Sequence, residues 1–144
     1  MEKKKRISKD TIYAIFTWCG ILIIFYLIIF GIPFKEKVDR TKCPYKTEGN
    51  PQADFVVKYI DSPYCPWCWL EEFTLKSAVK KKGNSFSLER YDIESCTDIV
   101  RKYKFSGTPS FVFSLKNEAK EYTHWGYIGK KDFFKLICGT TGDC

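Results

Sequence analysis

The stretch "SPYCPWCW", residues 62–69, places Cys65 and Cys68 two residues apart in the chain. The segment before it, "ADFVVKYID" (53–61), is β-branched and aromatic and predicts a buried strand. The segment after it predicts a helix over about 65–82. A Cys-x-x-Cys pair between a strand and a helix start can be half of a metal site, a structural disulfide or a redox centre.

The helix start favours redox chemistry at Cys65. Unpaired backbone N–H groups and the positive end of the helix dipole meet there, and both stabilise a thiolate. We therefore expect the pKa of Cys65 to lie below that of a free cysteine. Pro66 falls in the first helical turn, where its missing N–H costs nothing. Cys68, one turn later, can close a ring with Cys65 and act as the resolving thiol.

The alternatives fit the sequence less well. A zinc site needs four ligands, but there is no second Cys-x-x-Cys, and His124 is the only histidine. A haem attachment needs histidine after Cys68, where Trp69 stands. An inert disulfide rarely spans two residues at a helix start, and an iron–sulfur site bridging two chains through Cys65 stays open. The sequence thus predicts a redox pair with no metal and no organic cofactor.

The remaining elements alternate between strands and helices. Trp69, Leu70 and Phe73 form one apolar cluster at helical spacing in the first helix, and Leu75, Ala78 and Val79 extend it. The next elements are a strand "SFSLERYDI" (85–93), a short helix to about residue 104, strands "PSFVFSL" (109–115) and "KEYTHWGY" (120–127), and a last helix after residue 129. This order predicts a small α/β sandwich of three layers.

A second motif supports the first. The stretch "KYKFSGTPSFVF" (102–113) places Thr108-Pro109 immediately before a strand. With Cys-Pro-Trp-Cys and the order of elements, the chain resembles the thioredoxin superfamily over roughly residues 53–138. The resemblance implies a thioredoxin-like three-layer α/β/α sandwich in which Pro109 is cis and sits against the redox disulfide. It also implies that the backbone of Thr108 pairs with a bound partner as an added strand.

The sequence departs from the family at two places. The motif has proline directly after Cys65, as in glutaredoxins and periplasmic disulfide oxidases, whereas thioredoxins carry Trp-Cys-Gly-Pro-Cys. Tyr59 stands where many members hold a buried carboxylate that helps to deprotonate the resolving thiol. Either another group, such as Asp61 or a water, moves that proton, or the step is slower. Tyr64 and Trp67 flank the redox pair, and we expect Trp67 to be exposed beside the groove for an unfolded chain.

The other cysteines indicate an oxidising compartment. Six of the seven lie outside the apolar N-terminal segment, and an even number there is typical of a disulfide framework. With the family's order of elements, Cys43 could pair with Cys138 or Cys144. A short loop closed by Cys138 and Cys144 is equally open. Cys96 is expected to be structural or free rather than a third redox thiol.

Residues 11–34 carry no charge and predict a membrane anchor. As a helix, this segment would reach about 36 Å, more than a hydrocarbon core of about 30 Å. No signal cleavage site follows it, so we expect an uncleaved signal anchor between a cytoplasmic tail (1–10) and a linker (35–52), with the domain at 53–144. The compact N-terminal lysines favour a cytoplasmic N-terminus and an extracytoplasmic domain.

The net charge of +7 fits a chain near an anionic membrane better than one that binds nucleic acid, because no basic face carries reading groups. The predicted function is thiol–disulfide oxidoreductase activity on protein cysteines outside the cytoplasm, with a membrane redox partner that recycles the pair. A glutaredoxin-like reductase that depends on a small thiol is one alternative. A redox-silent peptide-binding or chaperone module on the same fold is the other. The direction of exchange, oxidation, reduction or isomerisation, is left open.

Overall fold

The structure is a computed structural model that describes Tyr13, residues 17–22 and residues 38–144. The chain divides into two compact units, residues 1–37 and 38–144. In the first unit, residues 17–22 are helical. Within these described parts, no helix combines the length and apolar character needed to cross a membrane. The predicted tail and most of the predicted anchor at 11–34 lie outside the described residues.

The second unit is built on a five-stranded mixed sheet with strand order β1-β3-β2-β4-β5. Strands β2 and β3 are parallel, and the other neighbouring pairs are antiparallel. In chain order the elements are β1 (Lys46–Gly49), β2 (Phe55–Asp61), α1 (Pro66–Lys82), β3 (Phe86–Asp92), α2 (Thr97–Tyr103), β4 (Ser110–Leu115), β5 (Glu121–Trp125) and α3 (Lys130–Thr141).

Helices cover both faces of this sheet. On one face, α1 and α3 pack on a buried cluster to which β2 contributes Phe55, Val57 and Tyr59. On the other face, Ile60 of β2 packs with Val100 of α2 and with the loop that follows it. Successive side chains of a strand point to opposite faces, so β2 supplies both layers of the core. The prediction of a three-layer α/β/α sandwich is confirmed for residues 38–144.

Part of the predicted linker belongs to the sheet. Within residues 35–52, β1 pairs antiparallel with β3, and Lys46 lies opposite Arg90. The sequence Lys-Thr-Glu-Gly has no alternation of apolar and polar residues, so periodicity could not reveal this strand. The strand is held by backbone hydrogen bonds and by the carboxylate of Glu48, whose Oε2 lies 2.5 Å from Nε of Arg90. The folded unit therefore begins at Val38 rather than at residue 53.

Two structural disulfides close the unit. Cys43 is bonded to Cys96, so the predicted pairing of Cys43 with Cys138 or Cys144 is wrong. Because β1 runs antiparallel to β3, the segment before β1 lies beside the end of β3, where Cys96 begins α2. The alternative pairing of Cys138 with Cys144 is confirmed, and so is the structural role of Cys96, which is buried.

Helix α1 buries only part of the predicted apolar cluster. Leu75 and Ala78 are buried and Val79 packs against the core, whereas Trp69, Leu70 and Phe73 are exposed, with Phe73 74% accessible. The buried residues of α1 are Cys68, Glu71, Thr74, Leu75 and Ala78. Trp69, Leu70 and Phe73 therefore form a surface feature, called here the apolar stripe. It begins in the first turn of α1, next to the redox pair.

Candidate active site

Cys65 and Cys68 form a disulfide at the start of α1, with Cα atoms 5.2 Å apart. Cys65 is the N-cap, and Pro66 opens the helix. The backbone N–H of Cys68 donates a hydrogen bond to Sγ of Cys65 at 3.0 Å. In the reduced protein, this donor and the helix N-terminus would stabilise a thiolate on Cys65. The first turn carries no acidic residue to oppose them.

The loop before β4 completes the site. The Thr108–Pro109 peptide bond is cis, as the resemblance implies. Ser110, the next residue, lies opposite Ile60 of β2, so Pro109 sits at the sheet edge from which the chain leaves for Cys65. Pro109 is buried, and Thr108 is partly exposed. The fold thus brings Thr108, Pro109 and the redox pair to the same edge of the sheet.

Three aromatic side chains surround this edge. Tyr64 is 82% exposed and Trp67 is 59% exposed, which confirms that Trp67 is not buried. Tyr127, in the loop between β5 and α3, has its ring centroid 6.5 Å from that of Trp67. We call these three residues the aromatic collar. Tyr127 was not predicted as a site residue, although an exposed aromatic residue between Gly126 and Gly129 is a usable signal.

A carboxyl group lies behind the redox pair. Glu71 is fully buried, one helical turn after Cys68 on the inward face of α1. Its Oε2 accepts a hydrogen bond from the backbone N–H of Ile128 at 2.7 Å. Its Oε1 is buried without a hydrogen-bond partner among the described residues. Burial raises the pKa of Glu71 to about 7, and the hydrogen bond from Ile128 opposes the rise.

Tyr59 occupies the position six residues before Cys65. Its side chain is fully buried, and its hydroxyl donates to the backbone carbonyl of Cys68 at 3.4 Å. Burial, with the nearby charge of Asp61, raises the pKa of Tyr59 far above its ordinary value. Tyr59 is therefore a neutral donor beneath the disulfide and not a base at neutral pH.

Asp61 is committed to another cluster. Tyr45 donates its hydroxyl hydrogen to Oδ2 of Asp61 at 2.5 Å, and Nη1 of Arg40 lies 3.0 Å from Oδ1. Arg40 also contacts Asp92 at 2.9 Å. Burial raises the pKa of Asp61, while the hydrogen bond from Tyr45 and the charge of Arg40 oppose the rise. Both oxygens of Asp61 are occupied, which disfavours it as the proton acceptor for Cys68.

Comparison with known proteins shows which fold the domain has. No protein-family model matches the chain, and no curated protein matches its sequence. Solved structures of thioredoxins do match it. Chloroplastic thioredoxin z has a TM-score of 0.57 at 13% identity, covering 65% of this chain and 82% of its own. A Halobacterium salinarum thioredoxin scores 0.54 at 18% identity, covering 62% and 76% respectively.

Mitochondrial thioredoxin 3 of Saccharomyces cerevisiae, in its oxidised form, scores 0.53 at 17% identity and covers 61% of this chain and 80% of its own. The matched proteins are thus thioredoxins from distant sources, each with most of its length covered. Residues 38–144 have the thioredoxin fold, with a Cys-x-x-Cys disulfide at the start of α1.

Proposed function

We propose that this chain is a thiol–disulfide oxidoreductase that exchanges disulfides with protein cysteines through Cys65 and Cys68. The observation that carries the proposal is the disulfide at the start of α1, in which Cys65 Sγ accepts the N–H of Cys68. In the reducing direction, the thiolate of Cys65 attacks a partner disulfide, forms a mixed disulfide and releases one partner thiolate. Cys68 then attacks Cys65, and the second partner thiolate leaves.

The cycle transfers two electrons from the redox pair to the partner disulfide. One partner disulfide is broken and takes up two electrons, the Cys65–Cys68 disulfide is formed, and the two partner thiolates take protons from water. The reverse sequence oxidises a partner dithiol and leaves Cys65 and Cys68 reduced. Which direction operates depends on the potential of the pair and on the membrane partner that recycles it.

The surface around the pair suits an unfolded protein segment. The backbone of Thr108, beside Pro109, is available at the sheet edge for pairing with an extended partner chain. The aromatic collar offers exposed rings next to the redox pair. Rings of this kind contribute large apolar contact area at low cost in side-chain entropy. Thr108, Tyr64 and Trp67 are therefore proposed as substrate-binding residues, with Tyr127 added.

We propose that the activity operates outside the cytoplasm, on a domain anchored by residues 11–34. Support comes from the charge-free segment itself and from the disulfides Cys43–Cys96 and Cys138–Cys144, since such bonds persist in oxidising compartments. The numbers of lysines and arginines on the two sides of the anchor are nearly equal, but the N-terminal charges are more compact, which favours a cytoplasmic N-terminus. A membrane-embedded redox protein would then recycle the pair.

Reduction of insulin disulfides by the full chain in detergent micelles tests the proposed activity. We expect Cys65→Ser to abolish catalysis, because that substitution removes the attacking sulfur. The matched control is Cys19→Ser, which removes the cysteine that forms no disulfide in the described structure and should leave the rate unchanged. Equal rates for wild type and Cys65→Ser would refute the proposal.

A further inference from the structure

The proposed reaction requires Cys68 to lose a proton inside the protein. Cys68 is 5% exposed, and its side chain belongs to the buried cluster beneath α1. Apolar surroundings raise the pKa of a thiol, whereas only the thiolate attacks a disulfide. A base within reach of Cys68 would therefore accelerate the resolving step at neutral pH.

Glu71 meets the geometric requirements for that base. It follows Cys68 by three residues on the same buried face of α1, and side chains at this spacing have Cβ atoms about 5–6 Å apart. This spacing allows the carboxyl group to approach the sulfur directly or through one water. The hydrogen bond from Ile128 fixes Oε2, which leaves Oε1 for the proton.

The state of Oε1 points to a function. A buried carboxyl oxygen without a hydrogen-bond partner is uncommon and destabilises a fold. Oε1 of Glu71 is such an atom among the described residues. The neighbouring Glu72, by contrast, pairs with Arg90 at 2.7 Å and with Lys76.

We propose that Glu71 accepts the proton of Cys68 during resolution of the mixed disulfide, an inference that rests on the proposed function. The Cys68 S–H bond breaks and its proton passes to Glu71, directly or through one water. The resulting thiolate attacks Sγ of Cys65, the Cys65–Cys68 bond forms, and the bond from Cys65 to the partner sulfur breaks. The partner leaves as a thiolate. When the pair is reduced again, Glu71 returns the proton to Cys68.

Burial, and not a neighbouring charge, determines the pKa of Glu71. The pKa of Glu71, about 7, is set by desolvation. Tyr59 of β2 stays protonated, and Arg90 of β3 is held by Glu48 and Glu72 while lying 5.6 Å from the Tyr59 ring. Other titratable groups on the elements packed here include Asp61 on β2, Cys65 and Glu72 on or beside α1, Tyr127 in the loop, and Lys130, Lys131, Asp132 and Lys135 on α3. In the described structure none of them is hydrogen-bonded to Glu71.

A two-phase exchange experiment tests the proposal on the full chain, in a Cys19→Ser background. Protein reduced only at Cys65 and Cys68 is mixed with a chromogenic aromatic disulfide. Attack by Cys65 releases the first coloured thiolate, and attack by Cys68 releases the second. We expect Glu71→Gln to leave the first phase unchanged and to slow the second about a hundredfold at pH 7, the usual scale of general base catalysis.

The pH profile separates a proton acceptor from a structural residue. In the wild type, the second phase should rise with an inflection near pH 7, which Glu71→Gln should lose and Glu71→Asp should partly restore. The matched control, Glu118→Gln in the exposed turn before β5, should keep both phases. A Glu71→Gln protein with the wild-type second phase and inflection, or with both phases slowed equally, would overturn the proposal.

Two further outcomes are decisive as well. If Glu71→Gln does not fold, Glu71→Asp takes its place: a slowed second phase with a shifted inflection supports the proposal, and an unchanged one overturns it. If the wild type releases no second equivalent of colour, the redox pair does not resolve. That result would refute the proposed function itself, not only the role of Glu71.

Discussion

Glu71 and Glu72 are adjacent in the sequence and occupy opposite environments. Periodicity could have placed Glu71 on the face of Cys68, Leu75 and Ala78, all of which are buried. The apolar side chains of α1 argued for the other face, because a stripe of Trp, Leu and Phe is normally buried and a glutamate is not. Residue type and helical spacing predict different buried faces at the start of α1. The prediction from residue type was wrong for Trp69, Leu70 and Phe73.

The pH dependence of stability should reveal the buried carboxyl group. The pKa of Glu71 is raised from 4.5 to about 7 in the folded chain, so folding favours its protonated form. The stabilisation is complete below about pH 4.5 and is lost as the pH rises through 7, at most about 3 kcal/mol for a shift of this size. We expect Glu71→Gln to lose less stability than the wild type between pH 5 and pH 8.

Denaturant unfolding of the oxidised protein at the two pH values measures this difference, with Glu118→Gln as the matched control. Glutamine cannot ionise, so the part of the pH dependence that belongs to Glu71 should disappear. An identical pH dependence in wild type and Glu71→Gln would show that Glu71 ionises normally in the fold.

Motif spacing predicts the site residues that lie in short local patterns and misses those that depend on contacts between distant parts of the chain. The pair Cys65 and Cys68 and the dipeptide Thr108-Pro109 lie in short local patterns, and the structure brings both to one sheet edge. Tyr127 joins them only because β5 returns beside β4, a contact between distant parts of the chain. Side chains that depend on such contacts leave no local pattern to find.

At the scale of elements, β1 was missed for the same reason, because its position depends on contacts with distant parts of the chain. Strands β2 and β4 are apolar and were predicted within a residue or two, whereas β1 is short, polar and at the sheet edge. Its place depends on pairing with β3 and on the Cys43–Cys96 disulfide. Edge strands of this kind are often short and charged, which protects the sheet from pairing with other chains.

Removing the Cys43–Cys96 disulfide should destabilise the domain without stopping exchange. The bond spans 53 residues, and loop-closure entropy predicts a loss of roughly 4 kcal/mol in the double alanine variant. The bond between Cys138 and Cys144 spans 6 residues and serves as the matched control, with roughly 2 kcal/mol expected. Denaturant midpoints and insulin reduction measure the two effects.

Two outcomes of that experiment would count against a purely structural bond. A loss no larger than that of the control variant would show that β1 is held by its other contacts. A domain that folds but no longer exchanges disulfides would show that Cys96 takes part in the redox chemistry. Cys96 is 3% exposed, which makes direct attack on its sulfur difficult.

At the scale of the whole molecule, the folded unit begins at Val38. Sequence composition placed the boundary at residue 53, because residues 35–52 are polar and contain Pro44, Gly49 and Pro51. The ion pairs of Arg40 and the bond from Cys43 are invisible to composition. The order of the larger elements, by contrast, was predictable, since β2 and β4 are strongly apolar and turn residues separate the elements.

Two truncated chains should separate these boundaries. Residues 38–144 should unfold cooperatively, because they keep β1, the Cys43–Cys96 bond and the contacts of Arg40. Residues 53–144 would leave Asp61 and Asp92 buried without their cation, and breaking a buried ion pair typically costs about 3–5 kcal/mol. We expect this shorter chain to lose its cooperative transition in circular dichroism. Equal melting of both chains would place the boundary at residue 53 after all.

The ion pairs of Arg40 also determine where the chain enters the domain. Asp61 and Asp92, which hold Arg40, end β2 and β3, and Cys65 follows four residues after Asp61. Asp61 and Asp92 are register partners at the ends of the parallel strands, so without a cation their carboxylates would repel each other there. Arg40 pairs with both, and the segment before β1 therefore holds the two strands together at the end from which the chain reaches the redox pair.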